Sequence, residues 1–571
     1  MKRTPTLQFI LLSIRTSGWV SLILVLLFLL TFCISCDTDP DDEDKSSEPL
    51  VSHVAMAGGG WRAHTGHAGW TMSLLDGGNK KLSDVFSNVS TISSNSGGSW
   101  FSTMLMYSED FVTAIEAPNA ISTWDTIGWL GKQKMLFDEA PCHDVSGGPF
   151  DACVANHYAP GLFGGFYWDL VVQDLIFKDY PIDTNVTLSG ARQTWAEDKP
   201  LLLAATMLTT EVVLNKSSGD KRYYEACLSP STPILNGDNG ASCSGEAIPD
   251  VTPVTFSSIP SSSNFMTPPF LPAAGLDTAS SMFNVGYTEN KEGASTASTS
   301  IQNSLANDQV PVVIAAAASS AAAGFEASHV VSKSWYESYM TEDEALSFQL
   351  ANSKVEFVNA KGMSTQDLAD KKMVQIADGG PVDNSGVAQL VSFLQLNNQA
   401  EGFNIVAFDN VQALYSPGGN AADVGTDIAY LFGKGLSNGN QFCSGLNGTG
   451  TCITVPDLQI FDLASLTSTE VTWSADASPD STDLVQKLIY TKYTVTTVAN
   501  PTFGISAGST GTLHAFTCAW SDAHTAPQNK PKRQDKDFIA YSKMLSFINS
   551  GLQEQNAQGL KYLEAALGIN P

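Results

Sequence analysis

Three apolar runs in this chain break off abruptly into consecutive small residues, and that recurrence limits the possible folds more than any other feature. The first is Val51 to Ala63, where Val-Ser-His-Val-Ala-Met-Ala gives way to Gly58, Gly59 and Gly60 and then to Trp-Arg-Ala. The second is Ser90 to Trp100, a β-branched run that enters Asn95-Ser-Gly-Gly-Ser and leaves as an apolar segment; the third is Met373 to Asn384, in which Met-Val-Gln-Ile-Ala reaches Asp378-Gly-Gly. Each reads as a strand and a tight turn, followed in the first two by a helix. Continuous rather than alternating apolar runs indicate strands covered on both faces, hence an α/β fold with a largely parallel central sheet flanked by helices. Further strands are expected at Pro200–Thr210, Val310–Ala318, Phe403–Phe408 and Leu488–Thr497.

The junctions also carry chemistry. A serine at a strand-to-helix elbow is pushed out of the sheet when small neighbours let the backbone bend, and Ser96, followed by Gly97 and Gly98, is that serine. Its helix is expected over Trp100–Met106. Read as Gly-x-Ser-x-Gly the motif lacks its first glycine, since Ser94 stands there. Three consecutive glycines at 58–60 cost backbone entropy and make no side-chain contacts, so their use is to bring peptide N–H groups close to a partner, a developing oxyanion being a natural one. Asp378 ends a strand beside two glycines, where a turn aspartate is the ordinary alternative. Together the three supply a nucleophile, oxyanion donors and a carboxylate base.

The Gly-Gly-Gly-Trp-Arg-Ala run at 58–63, the Ser-Gly-Gly-Ser-Trp run at 96–100 and the Asp-Gly-Gly run at 378–380 resemble the patatin-like superfamily, and within it the cytosolic phospholipase and fungal lysophospholipase branch. The resemblance implies a phospholipase-type catalytic fold with lid-like insertions, and a Ser/Asp dyad without histidine in which Ser96 is acylated and Asp378 is the base. It also implies an oxyanion hole from Gly59, Gly60 and Gly97, and Arg62 at the lipid phosphate. The implied activity is cleavage of fatty-acyl esters of phospholipids or lysophospholipids at a membrane or micelle surface, with no cofactor. Two rivals stand beside it. Ser96, Asp378 and His514 occur in the chain order of an α/β-hydrolase triad, and the chain could also be a catalytically silent exported binding protein of the same fold. His53, His64 and His67 flank the glycine run without an assigned role.

The flanks set the context. Lys2, Arg3 and Arg15 precede an uncharged stretch of 18 residues, Gly18–Ser35, which fits an export signal or a membrane anchor. Residues 1–36 are therefore read as signal or anchor, 37–49 as an acidic disordered linker, and 50–571 as one catalytic domain with insertions around 108–200 and 215–305. A single domain is required because strand ends near 58, 96 and 378 must converge. The expected location is the secretory pathway, secreted or anchored with the catalytic domain extracytoplasmic. A net charge of -28 argues against nucleic acid and against electrostatic attraction to anionic membranes, so a lipid surface would be met through apolar contact.

Outside the leader, Cys142 and Cys153, Cys227 and Cys243, and Cys443 and Cys452 form near-neighbour pairs that read as local disulfides, leaving Cys518 over. No Cys or His spacing suggests a metal site. Sequons at Asn88, Asn185, Asn215 and Asn447 are compatible with glycosylation, Asn88 lying on the strand that feeds Ser96. The Tyr158–Phe177 segment is either a Gly-hinged lid over an acyl channel or a helix packed on the sheet. Phe538, Ile539, Tyr541, Met544, Leu545, Ile548 and Leu552 share one face of a closing C-terminal helix.

Overall fold

The computed structural model describes residues 51–139, 172–208, 251–258, 265–266, 286–288, 311–320, 346–349, 373–419, 421–435, 441–443, 452–476, 486–500, 502–520 and 533–569. The leader, the acidic linker, the Tyr158–Trp168 segment, most of 215–305, Asn215, Asn447 and the cysteines at 142, 153, 227 and 243 lie outside them. Among the described residues no helix is long and apolar enough to cross a membrane.

One large sheet organises the molecule. Its middle is parallel: β16 (Thr510–Trp520), β9 (Phe403–Val411), β1 (Ser52–Met56), β2 (Val89–Asn95) and β3 (Leu201–Leu208) lie side by side in that order. Both margins are antiparallel. On one side β14 (Trp473–Asp476) and β15 (Gln486–Thr496) extend it from β16. On the other, β4 (Val251–Ser257) with β5 (Phe265–Met266), and β8 (Met373–Asp378) with β7 (Leu346–Gln349) and β6 (Gly286–Thr288), are added from β3. The fold is thus α/β, with a parallel centre as its continuous apolar strands predict. The described parts of the 215–305 stretch, β4, β5 and β6, are strands of the sheet.

Side chains alternate between the two faces of a strand, and the core divides accordingly. Val54, Met56, Ile92, Leu201, Leu203 and Phe408 pack beneath the helices Gly60–Leu74, Ser96–Tyr107 and Val312–Ser319 and the C-terminal helical segment Arg533–Ala566, which is broken at Glu554–Ala557. Ala55, Leu202, Ile405, Ala407 and Leu513 face the opposite layer, which contains the helix Val387–Leu396. Val172, Leu175 and Phe177 are buried in the first of these layers, so the described end of the 158–177 segment is core packing.

Several elements differ from expectation. Val312–Ser319 is a helix, not a strand, and is buried on every side. A short, uniformly apolar run carries no period, and its alanines favour helix where tertiary contacts permit. The helix after Ser96 begins at Ser96 itself rather than at Trp100, because Gly97 and Gly98 are already helical. On the C-terminal helix Phe538, Met544, Leu545, Ile548 and Leu552 are buried, whereas Ile539 is exposed. Two small ribbons complete the described chain: β10 (Leu414–Tyr415) with β11 (Val424–Gly425), and β12 (Gln441–Cys443) with β13 (Cys452–Thr454), whose register sets Cys443 opposite Cys452. Cys518 is buried and unpaired on β16. Asn185 is exposed on a turn, but the Asn88 amide donates to the Gly568 carbonyl, which holds that sequon against the C-terminal segment.

The helix Ser96–Tyr107 sits very close to β1. A Cβ at Gly98 would stand 2.4 Å from the Met56 carbonyl oxygen and 2.7 Å from that of Ala57, both backbone atoms that cannot swing aside. Gly98→Ala is therefore expected to cost about 1–3 kcal/mol or more, read as a lowered urea midpoint at unchanged slope.

Candidate active site

Ser96 is the first residue of its helix and has a φ of 50°, in the left-handed region where non-glycine residues are uncommon. Such a conformation costs on the order of 1–3 kcal/mol and persists only where its surroundings fix it. Here they do. The Ser96 N–H donates to Ser319 Oγ at 3.2 Å, and a Cβ at Gly97 would lie 2.1 Å from the Gly60 carbonyl oxygen. The elbow and the glycine run are thus pressed backbone to backbone. The glycine missing from the motif is replaced by a hydroxyl chain: Ser94 Oγ is 2.7 Å from Ser102 Oγ and 3.5 Å from Ser99 Oγ, and Ser99 Oγ is 2.7 Å from Ser319 Oγ.

Strand register explains how Asp378 reaches this serine across 282 residues. Along β3, β4 pairs with Leu202–Leu208 and so fills one edge. β2 and β8 must then share the other edge. β2, running parallel, ends with Asn95 opposite Ala204, and β8, running antiparallel, ends with Asp378 opposite Ala205. The two strands meet head to head on adjacent rungs.

At that meeting point the Ser96 hydroxyl donates to Asp378 Oδ2 at 2.7 Å, and the Gly380 N–H donates to Oδ1 at 2.7 Å. Gly379 admits no side chain, since a Cβ would lie 2.4 Å from Asn95 Oδ1 and 2.7 Å from the Ala204 carbonyl oxygen. Burial pushes the Asp378 carboxyl up to about 6, against the opposing pull of hydrogen bonds from Ser96, Gly380 and Asn95.

The glycine run closes the site from the other side. Gly59 and Gly60 have φ values of 129° and 58°, which glycine alone adopts freely. The Ala57 N–H donates to the Phe408 carbonyl and the Gly58 N–H to the Asn384 carbonyl, at 3.0 and 2.8 Å. Gly60 opens the helix Gly60–Leu74, so two helix N-termini converge beside Ser96, each with first-turn N–H groups that lack intrahelical acceptors. Trp61 and Trp100 meet edge to face at 5.0 Å between ring centres next to this turn.

Arg62, in the first turn of that helix, is half-buried and donates from Nε to the Asn410 carbonyl at 3.1 Å. Its charge acts on buried Asp409 and half-buried Asp427, two carboxyls that desolvation pushes up; repulsion from Asp427 raises Asp409 further, and Arg62 opposes both shifts. Ser96, Asp378, Gly59, Gly60, Gly97 and Arg62 therefore occupy one neighbourhood. Asn95, Ser319, Asn384, Asp409 and Asp427 belong to it as well; Asn95 and Asn384 lie inside the runs that flank Ser96 and Asp378, but the sequence assigned none of the five a role.

The four described histidines are engaged elsewhere. His514 lies between the Tyr490 hydroxyl at Nδ1 and Asn404 Oδ1 at Nε2, both at 2.8 Å, and burial lowers it to about 4. His67 bonds the Ala57 carbonyl at 2.8 Å, which requires a proton on Nε2, and so braces the glycine run as a neutral ring. His64 stacks on Trp129, and His53 Nδ1 is 3.1 Å from Ser90 Oγ. No histidine among the described residues hydrogen-bonds Ser96 or Asp378. Comparison with protein-family models finds no match, and comparison with curated proteins finds none either.

The Asp378 environment has a consequence for stability. The carboxyl titrates near 6 in the fold and near 3.8 when free, so its ionised form destabilises the native state above pH 6, and that cost vanishes as pH falls below 3.8. Asp378→Asn is accordingly expected to raise stability at pH 8 by on the order of 1–3 kcal/mol, a difference that shrinks toward zero near pH 4 in thermal or urea unfolding.

Proposed function

We propose that the chain is a serine acyl hydrolase with a patatin-like catalytic fold, cleaving fatty-acyl esters of phospholipids or lysophospholipids through a Ser/Asp dyad. The observation that supports this most is the 2.7 Å hydrogen bond from Ser96 Oγ to a buried carboxylate, at an elbow faced by two helix N-termini.

The chemistry proceeds in two halves. Ser96 Oγ attacks the ester carbonyl while its proton passes to Asp378 Oδ2. Amides of Gly59, Gly60 and Gly97 receive the oxyanion, and loss of one such donor typically costs about 10²–10³ in turnover. Collapse breaks the acyl C–O bond, the leaving alcohol takes the proton from Asp378, and an acyl-serine remains. Water then attacks, gives its proton to Asp378, and collapse returns the serine hydroxyl and a fatty acid. A free aspartate is too weak a base for this. Raised to about 6 by burial, Asp378 has a higher proton affinity yet remains mostly ionised at neutral pH. The paired Trp61 and Trp100 rings offer an apolar wall for the acyl chain. Arg62 supplies the nearby positive charge for a phosphate, shared with Asp409 and Asp427. An exported catalytic domain meeting lipid by apolar contact accords with the leader and the net charge of -28.

Ser96→Ala and Asp378→Asn should each lower hydrolysis of lysophospholipid by at least about 10³-fold with folding intact, whereas His514→Ala should retain most of it. Full activity in either of the first two would refute the dyad. Labelling of Ser96 by a fluorophosphonate should be flat from pH 7 to 8 and fall below pH 6, because protonated Asp378 can no longer accept the hydroxyl proton. Arg62→Gln should raise KM for a lysophospholipid about 10-fold more than for the corresponding monoacylglycerol; equal effects on both would remove Arg62 from head-group recognition.

A further inference from the structure

We propose that Asn384 is a positioning residue that locks the glycine run, the nucleophile elbow and an acidic pair into one unit. This rests on the Ser96/Asp378 reading above. Three hydrogen bonds from this one residue go to three different elements. Its backbone carbonyl accepts the Gly58 N–H at 2.8 Å, its Oδ1 accepts from Asn95 Nδ2 at 2.9 Å, and its Nδ2 donates to Asp427 Oδ2 at 2.6 Å. The carboxylate at one end fixes which way the amide points. Only the carbonyl oxygen is then left to hold Asn95, the residue immediately before the nucleophile.

Packing agrees with the hydrogen bonds. A Cβ at Gly58 would fall 2.3 Å from Asn384 Oδ1, and one at Gly380 would fall 3.3 Å from it, so the Asn384 amide fills the space that both glycine segments leave open. The segment carrying Asn384 is itself held. Asp383 accepts from the Gln389 N–H at 2.9 Å and the Ser385 hydroxyl at 2.7 Å, and Ser93 Oγ on β2 donates to the Gly386 carbonyl at 2.7 Å. On the far side Asp427 sits with Asp409 in the field of Arg62, which belongs to the helix that Gly60 begins. Asp409 Oδ2 lies against Gly425 on β11, where a Cβ would meet it at 1.7 Å, so this carboxylate occupies the space that the glycine leaves open. The circuit runs from Gly58 through Asn384, Asp427 and Arg62 back to Gly59. Its function is to hold the oxyanion amides and Ser96 at fixed separation while substrate charge develops, which is where a displacement of about 1 Å costs about 10²-fold in rate.

The test uses the full chain and two readouts: the second-order rate of Ser96 labelling by a fluorophosphonate, and amide hydrogen exchange of the Val51–Ala63 segment. Asn384→Ala should slow labelling by about 10- to 10²-fold and speed exchange at Gly58–Gly60. Asn384→Asp should be at least as slow, because two carboxylates then face each other. The swap Asn384→Asp with Asp427→Asn restores one donor and one acceptor at the contact and should recover labelling to within about tenfold of the natural chain. In lysophospholipid turnover the loss should appear in kcat, with KM little changed. Should Asn384→Ala not fold, Asp427→Asn alone, expected to slow labelling less than Asn384→Asp, carries the comparison. Natural labelling rates in both single Asn384 variants would overturn the proposal. So would a swap no faster than Asn384→Asp at equal Tm, or unchanged exchange at Gly58–Gly60. A natural chain that never labels at Ser96 would instead refute the acyl-transfer reading, and the positioning role with it, while the exchange comparison still decides whether Asn384 holds the loop.

Discussion

Two strands ending head to head on one edge of β3 are the constraint on which the rest depends. Because β4 fills the opposite edge, β2 and β8 share this one, and the rungs Asn95/Ala204 and Ala205/Asp378 are consecutive. Each chain must leave the sheet at that point, since the other strand blocks its way. Ser96 leaves through a left-handed φ and Asp378 through two glycines, and their side chains meet in the gap. The separation of hydroxyl and carboxylate is therefore set by ladder hydrogen bonds rather than by a flexible loop, as the proposed dyad, with no third group to correct its geometry, would need.

Electrostatics then determines what such a pair can do. A carboxylate excluded from water gains proton affinity, and two helix N-termini beside the hydroxyl favour negative charge there, as the proposed acyl transfer requires. The same burial that raises the proton affinity of Asp378 destabilises the fold at neutral pH, the exchange of stability for function that the proposed catalytic role would explain. Asp409 and Asp427 extend this pattern, with Arg62 as their shared counter-charge and Asn384 as the link back to Asn95 beside Ser96.

How much of this could be read from residues alone followed from how local each demand is. Gly58–Gly60, Ser96 and Asp378 announced themselves because tight backbone approach requires glycine at particular positions, and because the chemistry needs a hydroxyl and a carboxylate at strand ends. The parallel middle of the sheet followed from continuous apolar runs. The antiparallel entry of β8 did not, since strand direction leaves no mark on a six-residue apolar run. Ser319 reads as the start of a turn after a strand at Val310–Ala318, but it ends a helix that is all apolar, fully buried and without a period to mark it. Ser94 looked like a defect in the elbow but joins a hydroxyl chain that its two neighbours on the following helix complete. Asn384, Asp409 and Asp427 act through partners far away in sequence, which no spacing rule reaches.

The central claim is that Asp378 is a buried, proton-hungry carboxylate bonded to Ser96. A carbon-detected NMR titration of the Asp378 carboxyl tests it most directly. The expected midpoint is about 6 in the natural chain, and it should move higher in Ser96→Ala, where the hydroxyl that favours the ionised form is gone. A midpoint near 4 that is the same with and without the serine hydroxyl would contradict the account.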